Sequence, residues 1–322
     1  MFISVDLKSI FNIYKHVQRW SYYSWFNTIT CYNIKMCNMN KVIINADDLG
    51  LNPIVNKTID EALCNHYISS STILANSEYL DEVKIIVSKH PNASFGVHLN
   101  LTTGKSLTEN PVFKKYGVMD ENGCFIMKQS FKICPNANSE LKEAIKNEWM
   151  KQIDLLLQYG FRLSHVDGHH HCHTWYGLTD IFLEVMQYYH LTCARQRYVY
   201  PEKKNIKIVT KSLIGAICNR LRIKLYERNN VLSKHFSDAC YLYVYLNKLK
   251  QAGIKTPYYF CSYSDMARII MASRLSIKDG TVIELMCHPG VDRFTKEYEI
   301  IKSDTIGLRN NSKYQIISYK EL

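Results

Sequence analysis

Short apolar segments alternate with segments of helical periodicity along most of the chain, and this alternation limits the fold more than any other feature. It is typical of parallel strands joined by crossover helices. The predicted strands are Lys41–Asn45, Ile68–Leu74, Ala93–Leu99, Leu163–Val166, Cys193–Arg197, Thr281–Met286 and Ile316–Tyr319, and the predicted helices are Val55–Leu63, Leu80–Val87, Ser139–Tyr159 and Thr179–Tyr189. No GxGxxG follows the first strand. We therefore expect an α/β fold with an irregular (β/α) barrel rather than a dinucleotide-binding sheet.

Ionisable residues occur at the carboxyl ends of four predicted strands. In a parallel (β/α) barrel these ends converge on one face, where such folds place their chemistry. The four groups are therefore expected to form one site. They are Asp47 with Asp48, His98, Asp167 with His169 to His173, and Glu284 with His288.

Residues 165–173 contain five histidines. Imidazole binds transition metals, and a carboxylate completes many such sites. Any one of these histidines could instead form a hydrogen bond in the core or face the solvent. The cluster as a whole favours a metal, because adjacent buried imidazoles need partners.

The adjacent carboxylates Asp47 and Asp48 leave two interpretations open. They could form a solvated turn or cap the following helix. Alternatively, one carboxylate binds a cation while the other accepts a proton.

The chain has 322 residues and a formal net charge of +11. Such a charge can indicate a nucleic acid, a membrane surface or an anionic substrate. Lys and Arg are concentrated only in residues 203–234, where apolar spacing favours a helix packed on the barrel over a helix touching a membrane or glycan. The 11 cysteines form no CxxC pair, which favours reduced thiols and a cytoplasmic location. No apolar run reaches about 18 residues, so no transmembrane segment is expected.

Residues 1–40 are rich in aromatic residues and Asn, and they are interpreted as an N-terminal extension. The extension would be disordered, or it would reflect a start assigned ahead of Met36 or Met39. An organelle-targeting peptide is a weaker alternative, because Asp6 and the scarcity of Ser and Arg are unusual in such peptides.

Four short motifs occur in order between Lys41 and the region near Leu322, and together they resemble the YdjC-like carbohydrate deacetylases, the family of chitooligosaccharide deacetylases. Residues 1–40 lie outside the resemblance. Residues 198–235 match poorly, which indicates a variable basic insertion in a single catalytic domain over residues 41–322. The motifs are NADDLG at Asn45–Gly50, GVHL at Gly96–Leu99 with Leu101-Thr102 and Gly104-Lys105 behind it, HVDGHHHCH at His165–His173, and ELMCHP at Glu284–Pro289.

The resemblance implies an irregular barrel related to the polysaccharide deacetylases, with one divalent metal ion. The implied metal ligands are Asp48, His98 and His169. The implied general base is Asp47, and a candidate general acid is His288. The family points to Mg²⁺, whereas ligand preference alone leaves Zn²⁺ as an alternative. Four further residues are expected to support the site or bind sugar hydroxyls, namely Asp167, which would orient a histidine, together with His173, Arg195 and Glu284.

The implied activity is hydrolysis of the acetamido group of an N-acetylated sugar, with release of acetate. Another metal-dependent hydrolase, such as a phosphoesterase, could use the same residues. A basic nucleic-acid-binding protein is the non-enzymatic alternative, but no module known to bind nucleic acids supports it, so no nucleic-acid partner is expected. The expected partner is the N-acetylated carbohydrate substrate, and a homodimer stays open.

Overall fold

The computed structural model describes residues 39–197, 244–271, 277 and 280–322. All described residues belong to one compact unit, Asn38–Leu322. The predictions for the N-terminal extension and for the insertion at 198–235 therefore fall almost entirely outside the described residues.

The described part of the chain contains a seven-stranded parallel sheet with the order β4-β3-β2-β1-β6-β5, in which β7 pairs with the first residues of β1. β1 therefore lies at the centre, with β2 on one side and β6 on the other. The strands are β1 (Asn40–Leu49), β2 (Ser70–Ile73), β3 (Ser94–Leu99), β4 (Val166–Gly168), β5 (Tyr259–Ser262), β6 (Val282–Cys287) and β7 (Tyr314–Ile316).

Single bridges connect the two ends of this strand order. Ala194 pairs with Val166 of β4, and its neighbour Cys193 pairs with Lys255, which lies just before the start of β5 at Tyr259. The sheet thus curls into the irregular barrel that the sequence predicts.

Helices cover the outer side of the sheet. α1 begins where the Asn52 side chain accepts a hydrogen bond from the Val55 N–H, with Pro53 at its first position. The helices are α1 (Pro53–Cys64), α2 (Leu80–Lys89), α3 (Pro111–Lys115), α4 (Met127–Ile133), α5 (Ser139–Gln158), α6 (Thr179–Tyr188), α7 (Tyr263–Met271) and α8 (Thr295–Ser303), and residues 244–251 are also helical. None of the described helices is both long and apolar enough to cross a membrane.

The core has two parts, because the residues of β1 alternate between the two faces of the sheet. Val42, Ile44 and Ala46 belong to the large cluster that includes the helices. Ile43 belongs to a small cluster with Tyr319 on the inner side of the barrel. The odd-numbered residues of β1 thus point inward up to the site.

Several predicted boundaries were wrong. β1 continues through Leu49, so both aspartates lie in the strand rather than after it. The fourth strand is Val166–Gly168 rather than Leu163–Val166. Residues 193–197 form only isolated bridges. The strand β5 and the helices α3, α4, α7 and α8 were not predicted.

Candidate metal centre

The two adjacent aspartates reach the same site because β1 is irregular between them. Neighbouring strand residues normally point to opposite faces, and Asp48 would then face the helices like Ala46. The pairing of β1 with β2 shifts register between Ala46 and Leu49, and Asp48 has a left-handed backbone with φ 70°. This bulge turns both carboxylates toward His98.

Asp48, His98 and His169 converge as the sequence predicts. Their donor atoms all lie within 4.8 Å of one another, and all three side chains are buried. Asp48 Oδ1 is 2.7 Å from His169 Nδ1 and 3.2 Å from His98 Nε2. His169 directly follows β4, whose third residue, Gly168, passes close to His173 and Cys172. Three strands thus contribute one ligand candidate each.

Asp167 fixes the orientation of His98. Its Oδ1 lies 2.6 Å from His98 Nδ1, and its Oδ2 accepts a hydrogen bond from the Thr72 hydroxyl at 3.1 Å. Burial lowers the pKa of His98, but Asp167, Asp48 and Asp47 outweigh it and raise the pKa to about 10. The surroundings of His98 Nε2 therefore favour a positive charge.

Arg195 is fully buried on the inner side of the barrel, where it binds three carboxylates. Its Nη1 and Nη2 donate to the two oxygens of Asp47 at 2.7 and 2.6 Å. Nη1 also lies 2.8 Å from Asp167 Oδ2, and Nε donates to Glu284 Oε1 at 2.7 Å. Burial works against ionisation of Asp47, but Arg195 outweighs it and lowers the pKa of Asp47.

The site contains four buried carboxylates. Arg195 binds those of Asp47, Asp167 and Glu284, whereas the carboxylate of Asp48 contacts His98 and His169 instead. Burial raises the pKa of Glu284 to about 7, although Arg195 and the hydroxyl of Tyr319 lower it. A buried charge is costly unless it is paired, so a cation beside Asp48 would stabilise this carboxylate.

The residues present fit a divalent metal ion. Two imidazoles and one carboxylate leave further coordination positions open, as in catalytic zinc sites. Asp167 occupies Nδ1 of His98 and leaves Nε2 free to bind, which is the usual support for a metal-bound histidine. By donor type the set suits Zn²⁺ or another transition metal at least as well as Mg²⁺.

His288 lies directly after β6, next to Glu297 of α8. Its backbone N–H donates to Glu297 Oε2 at 3.0 Å, and its Nδ1 is 3.7 Å from the same oxygen. Its ring stacks on Phe294 at 4.3 Å between centroids. Burial lowers the pKa of His288, but Glu297, Asp47 and Asp48 outweigh it and raise the pKa. These carboxylates therefore favour the protonated form of His288.

Arg195 and His173 were expected either to support the site or to bind sugar hydroxyls, and their positions agree with support of the site. Both side chains are fully buried, and His173 Nε2 lies 3.3 Å from the backbone carbonyl of Arg195. Neither reaches the solvent, so neither can contact a substrate in this conformation. Burial lowers the pKa of the other three histidines of the cluster, His165, His170 and His171, and so favours their neutral forms. His165 is fully buried, whereas His170 and His171 are partly buried.

Three residues of the site were missed in the sequence. Thr72 lies near the end of a strand that was predicted, so its position beside His98 could have been inferred. Tyr319 donates to Glu284 Oε2 at 2.5 Å and stacks on His165. Tyr319 and Glu297 both lie in the C-terminal part of the chain, after β6, and reach the site only in the folded structure. No local sequence pattern indicates their role.

Comparisons with known proteins show which family this chain resembles. A family model described as YdjC-like protein matches residues 41–312. A carbohydrate deacetylase from Vibrio cholerae El Tor Inaba N16961 is 33% identical over 151 residues, which are 47% of this chain and 57% of that protein. One from Thermoanaerobacter pseudethanolicus is 32% identical over 154 residues, which are 48% and 59%. The chain thus spans less than two thirds of the length of these relatives.

The fold is similar to that of an Enterococcus faecalis V583 protein proposed to be a cellobiose-phosphate cleavage protein. The TM-score is 0.59 and the sequence identity 22%, with 88% of this chain and 98% of that chain covered. The family match covers most of this chain, including all four motifs. The chain therefore belongs to the YdjC-like protein family.

Proposed function

We propose that the chain is a metal-dependent carbohydrate deacetylase that removes the acetyl group from an N-acetylated sugar of the chitooligosaccharide type. The observation that carries this proposal is the convergence of Asp48, His98 and His169 beside a separate carboxylate, Asp47. The similarity to proteins named carbohydrate deacetylase supports the choice of substrate class.

Asp48, His98 and His169 would hold the divalent ion, which when bound polarises an amide carbonyl and acidifies water. Asp47 is the general base, since Arg195 keeps it ionised and the bulge in β1 places it next to the ligand set. A general base accepts a proton from the attacking water as the bond to the carbonyl carbon forms.

His288 is the general acid. Its raised pKa keeps a proton available, and Glu297 holds it from the side of α8. Protonation of the departing nitrogen lets the C–N bond break, which yields acetate and a free amino sugar. Asp167 orients His98, and Arg195 positions Asp47 while linking it to Glu284.

An aromatic surface next to the ligand set supports a sugar as the substrate. Phe131 of α4 is 45% exposed, and its ring lies 5.4 Å from the rings of both His170 and Trp175. His170 in turn lies against His169, with 4.1 Å between ring centroids. Binding sites for small molecules are typically lined by such aromatic side chains around a few polar groups.

The test compares Asp47→Asn with Asp48→Asn, which are matched in chemistry and adjacent in sequence. The wild type, stripped of metal and supplied with Mg²⁺ or Zn²⁺, should release acetate from N,N′-diacetylchitobiose and no phosphate from sugar phosphates. Asp47→Asn should retain the metal and lose about 10²–10⁴-fold in kcat. Asp48→Asn should lose metal and turnover together. Near-normal turnover by Asp47→Asn would remove the base assignment, and absence of acetate with either metal would refute the activity.

A further inference from the structure

A second group of metal-ligating side chains lies on the outer helices, at Asp60, Cys64 and His90. His90 Nε2 is 2.7 Å from Asp60 Oδ1 and 3.8 Å from Cys64 Sγ. All three donor atoms lie within 4.8 Å of one another. Cys64 is exposed, whereas Asp60 and His90 are partly buried. The donors are thus mutually close and open to the solvent.

The connectivity places this group away from the catalytic face. Asp60 and Cys64 are one turn apart near the end of α1, and His90 directly follows α2. Each of these helices returns the chain to the start of the next parallel strand, β2 or β3. The group therefore lies on the side of the barrel where strands begin, opposite to Asp48, His98 and His169, which lie at strand ends.

The geometry favours metal binding over a Cys–His–Asp nucleophile. In such a nucleophile the two ring nitrogens have separate partners, one the thiol and the other the carboxylate. Here the same nitrogen, Nε2 of His90, faces both Cys64 Sγ and Asp60 Oδ1. Three donors that converge on one point can share a cation.

The separations are close to those of a tetrahedral zinc site. Tetrahedral bond lengths require about 3.6 Å between a sulfur and a nitrogen donor and about 3.4 Å between a nitrogen and an oxygen donor. The Cys64 Sγ to His90 Nε2 distance of 3.8 Å is near the first value. The hydrogen-bonded Asp60–His90 distance of 2.7 Å has to open slightly, as happens when an ion replaces the shared proton. Lys89 binds the other oxygen of Asp60 at 3.1 Å and leaves Oδ1 free.

We propose that Asp60, Cys64 and His90 form a peripheral Zn²⁺ site that is separate from the catalytic centre and ties the end of α1 to the end of α2. Thiolate, imidazole and carboxylate are the ligand types that zinc takes. Water completes the tetrahedron on the exposed side. The ligands come from two helices joined through β2, so the ion cross-links them.

Titration of the full-length chain with Co²⁺ tests the proposal, because cobalt substitutes for zinc and a cobalt–thiolate bond gives a charge-transfer band in the near ultraviolet. The Asp48 centre has no sulfur ligand and does not contribute to this band. The wild type should show the band, and both Cys64→Ser and His90→Gln should lose it. Cys124→Ser is the matched control and should retain it. Absence of the band in the wild type, or its persistence in Cys64→Ser, would overturn the proposal.

Alkylation gives a second measurement on the wild-type protein. Zn²⁺ should protect Cys64 from iodoacetamide, as read by mass spectrometry of the peptide that carries it, and Cys124 should react equally with and without the ion. Equal labelling of Cys64 in both conditions would contradict zinc ligation. Cys64→Ser should deacetylate like the wild type, so failure of this site and failure of the proposed activity are distinguishable.

Discussion

Replacement of Arg195 by Met should shift the acid limb of the pH–activity profile to higher pH. Arg195 donates two parallel hydrogen bonds to Asp47, at 2.6 and 2.7 Å, in a fully buried position. Without the guanidinium, burial is opposed only by the weaker effects of His98 and His288, so the pKa of Asp47 rises. Asp47 is then protonated up to a higher pH, and the variant should turn over more slowly than the wild type in that acid range.

The magnitude follows from the contacts that are lost. A hydrogen bond to a charged group contributes about 1.5–3 kcal/mol, and one pKa unit corresponds to about 1.4 kcal/mol. The pKa of Asp47, and with it the acid limb of kcat, should therefore rise by at least about one to two units. Removing one partner of a buried ion pair should also cost about 3–5 kcal/mol of unfolding free energy.

The stability loss should itself depend on pH. Because the folded-state pKa of Asp47 is lowered, its ionised form stabilises the wild type above the unfolded-state pKa of about 3.9, and this contribution is lost as the pH falls through the folded value. The difference between wild type and Arg195→Met should therefore be largest near neutral pH and should narrow in acid.

The assay is acetate release against pH, with unfolding in urea measured in parallel. Arg309→Met is the control, since Arg309 binds the backbone carbonyls of Ile301 and Lys302 far from the carboxylates. It should cost stability without moving the acid limb. Arg195→Lys retains a charge but not the bidentate contact and should give an intermediate shift. An unchanged acid limb in both Arg195 variants would refute the link between Arg195 and the base.

Two further changes test other parts of the site. Glu297→Gln removes a carboxylate that raises the pKa of His288, so the alkaline limb of kcat should move to lower pH. Glu299→Gln on the same helix is the control and should leave this limb in place. An alkaline limb that does not move in Glu297→Gln would count against His288 as the general acid. Gly96→Ala places a Cβ 2.5 Å from the backbone carbonyl oxygen of His165, so it should lower the unfolding free energy by about 1–3 kcal/mol. Thermal unfolding measures this loss, and a melting temperature equal to that of the wild type would contradict it.

Much of the architecture could be predicted because it depends on local patterns. The β-branched segment at Lys41–Asn45 and the helical spacing of Ser139–Tyr159 both match elements of the structure. The short strand β4 was misplaced because two of its three residues, Asp167 and Gly168, are not apolar. Its position is determined by pairing with β3, which is not a local property.

The candidate site was predictable in its membership but not in its internal contacts. Strand-end positions predicted that the groups containing Asp48, His98 and His169 meet on one face, and the family resemblance implied these three residues as the metal ligands. For Arg195, by contrast, both support of the site and contact with sugar hydroxyls stayed open, and its ion pairs with Asp47, Asp167 and Glu284 were not predicted. Those contacts form only if all four side chains point to the inner side of the barrel. The sequence does not show this, because it depends on how the strands pair in the folded protein.

The irregular pairing in β1 restricts how this region can vary. Loss of one residue between Ala46 and Leu49 would restore regular pairing with β2, and one of the two carboxylates would then point to the side of the sheet that the helices cover. Side chains near the site can be exchanged one at a time, but the residue count of this short stretch cannot change without separating the acid groups. Homologous proteins that keep both carboxylates at the site should therefore accept insertions and deletions in the loops around it more readily than between the positions of Ala46 and Leu49.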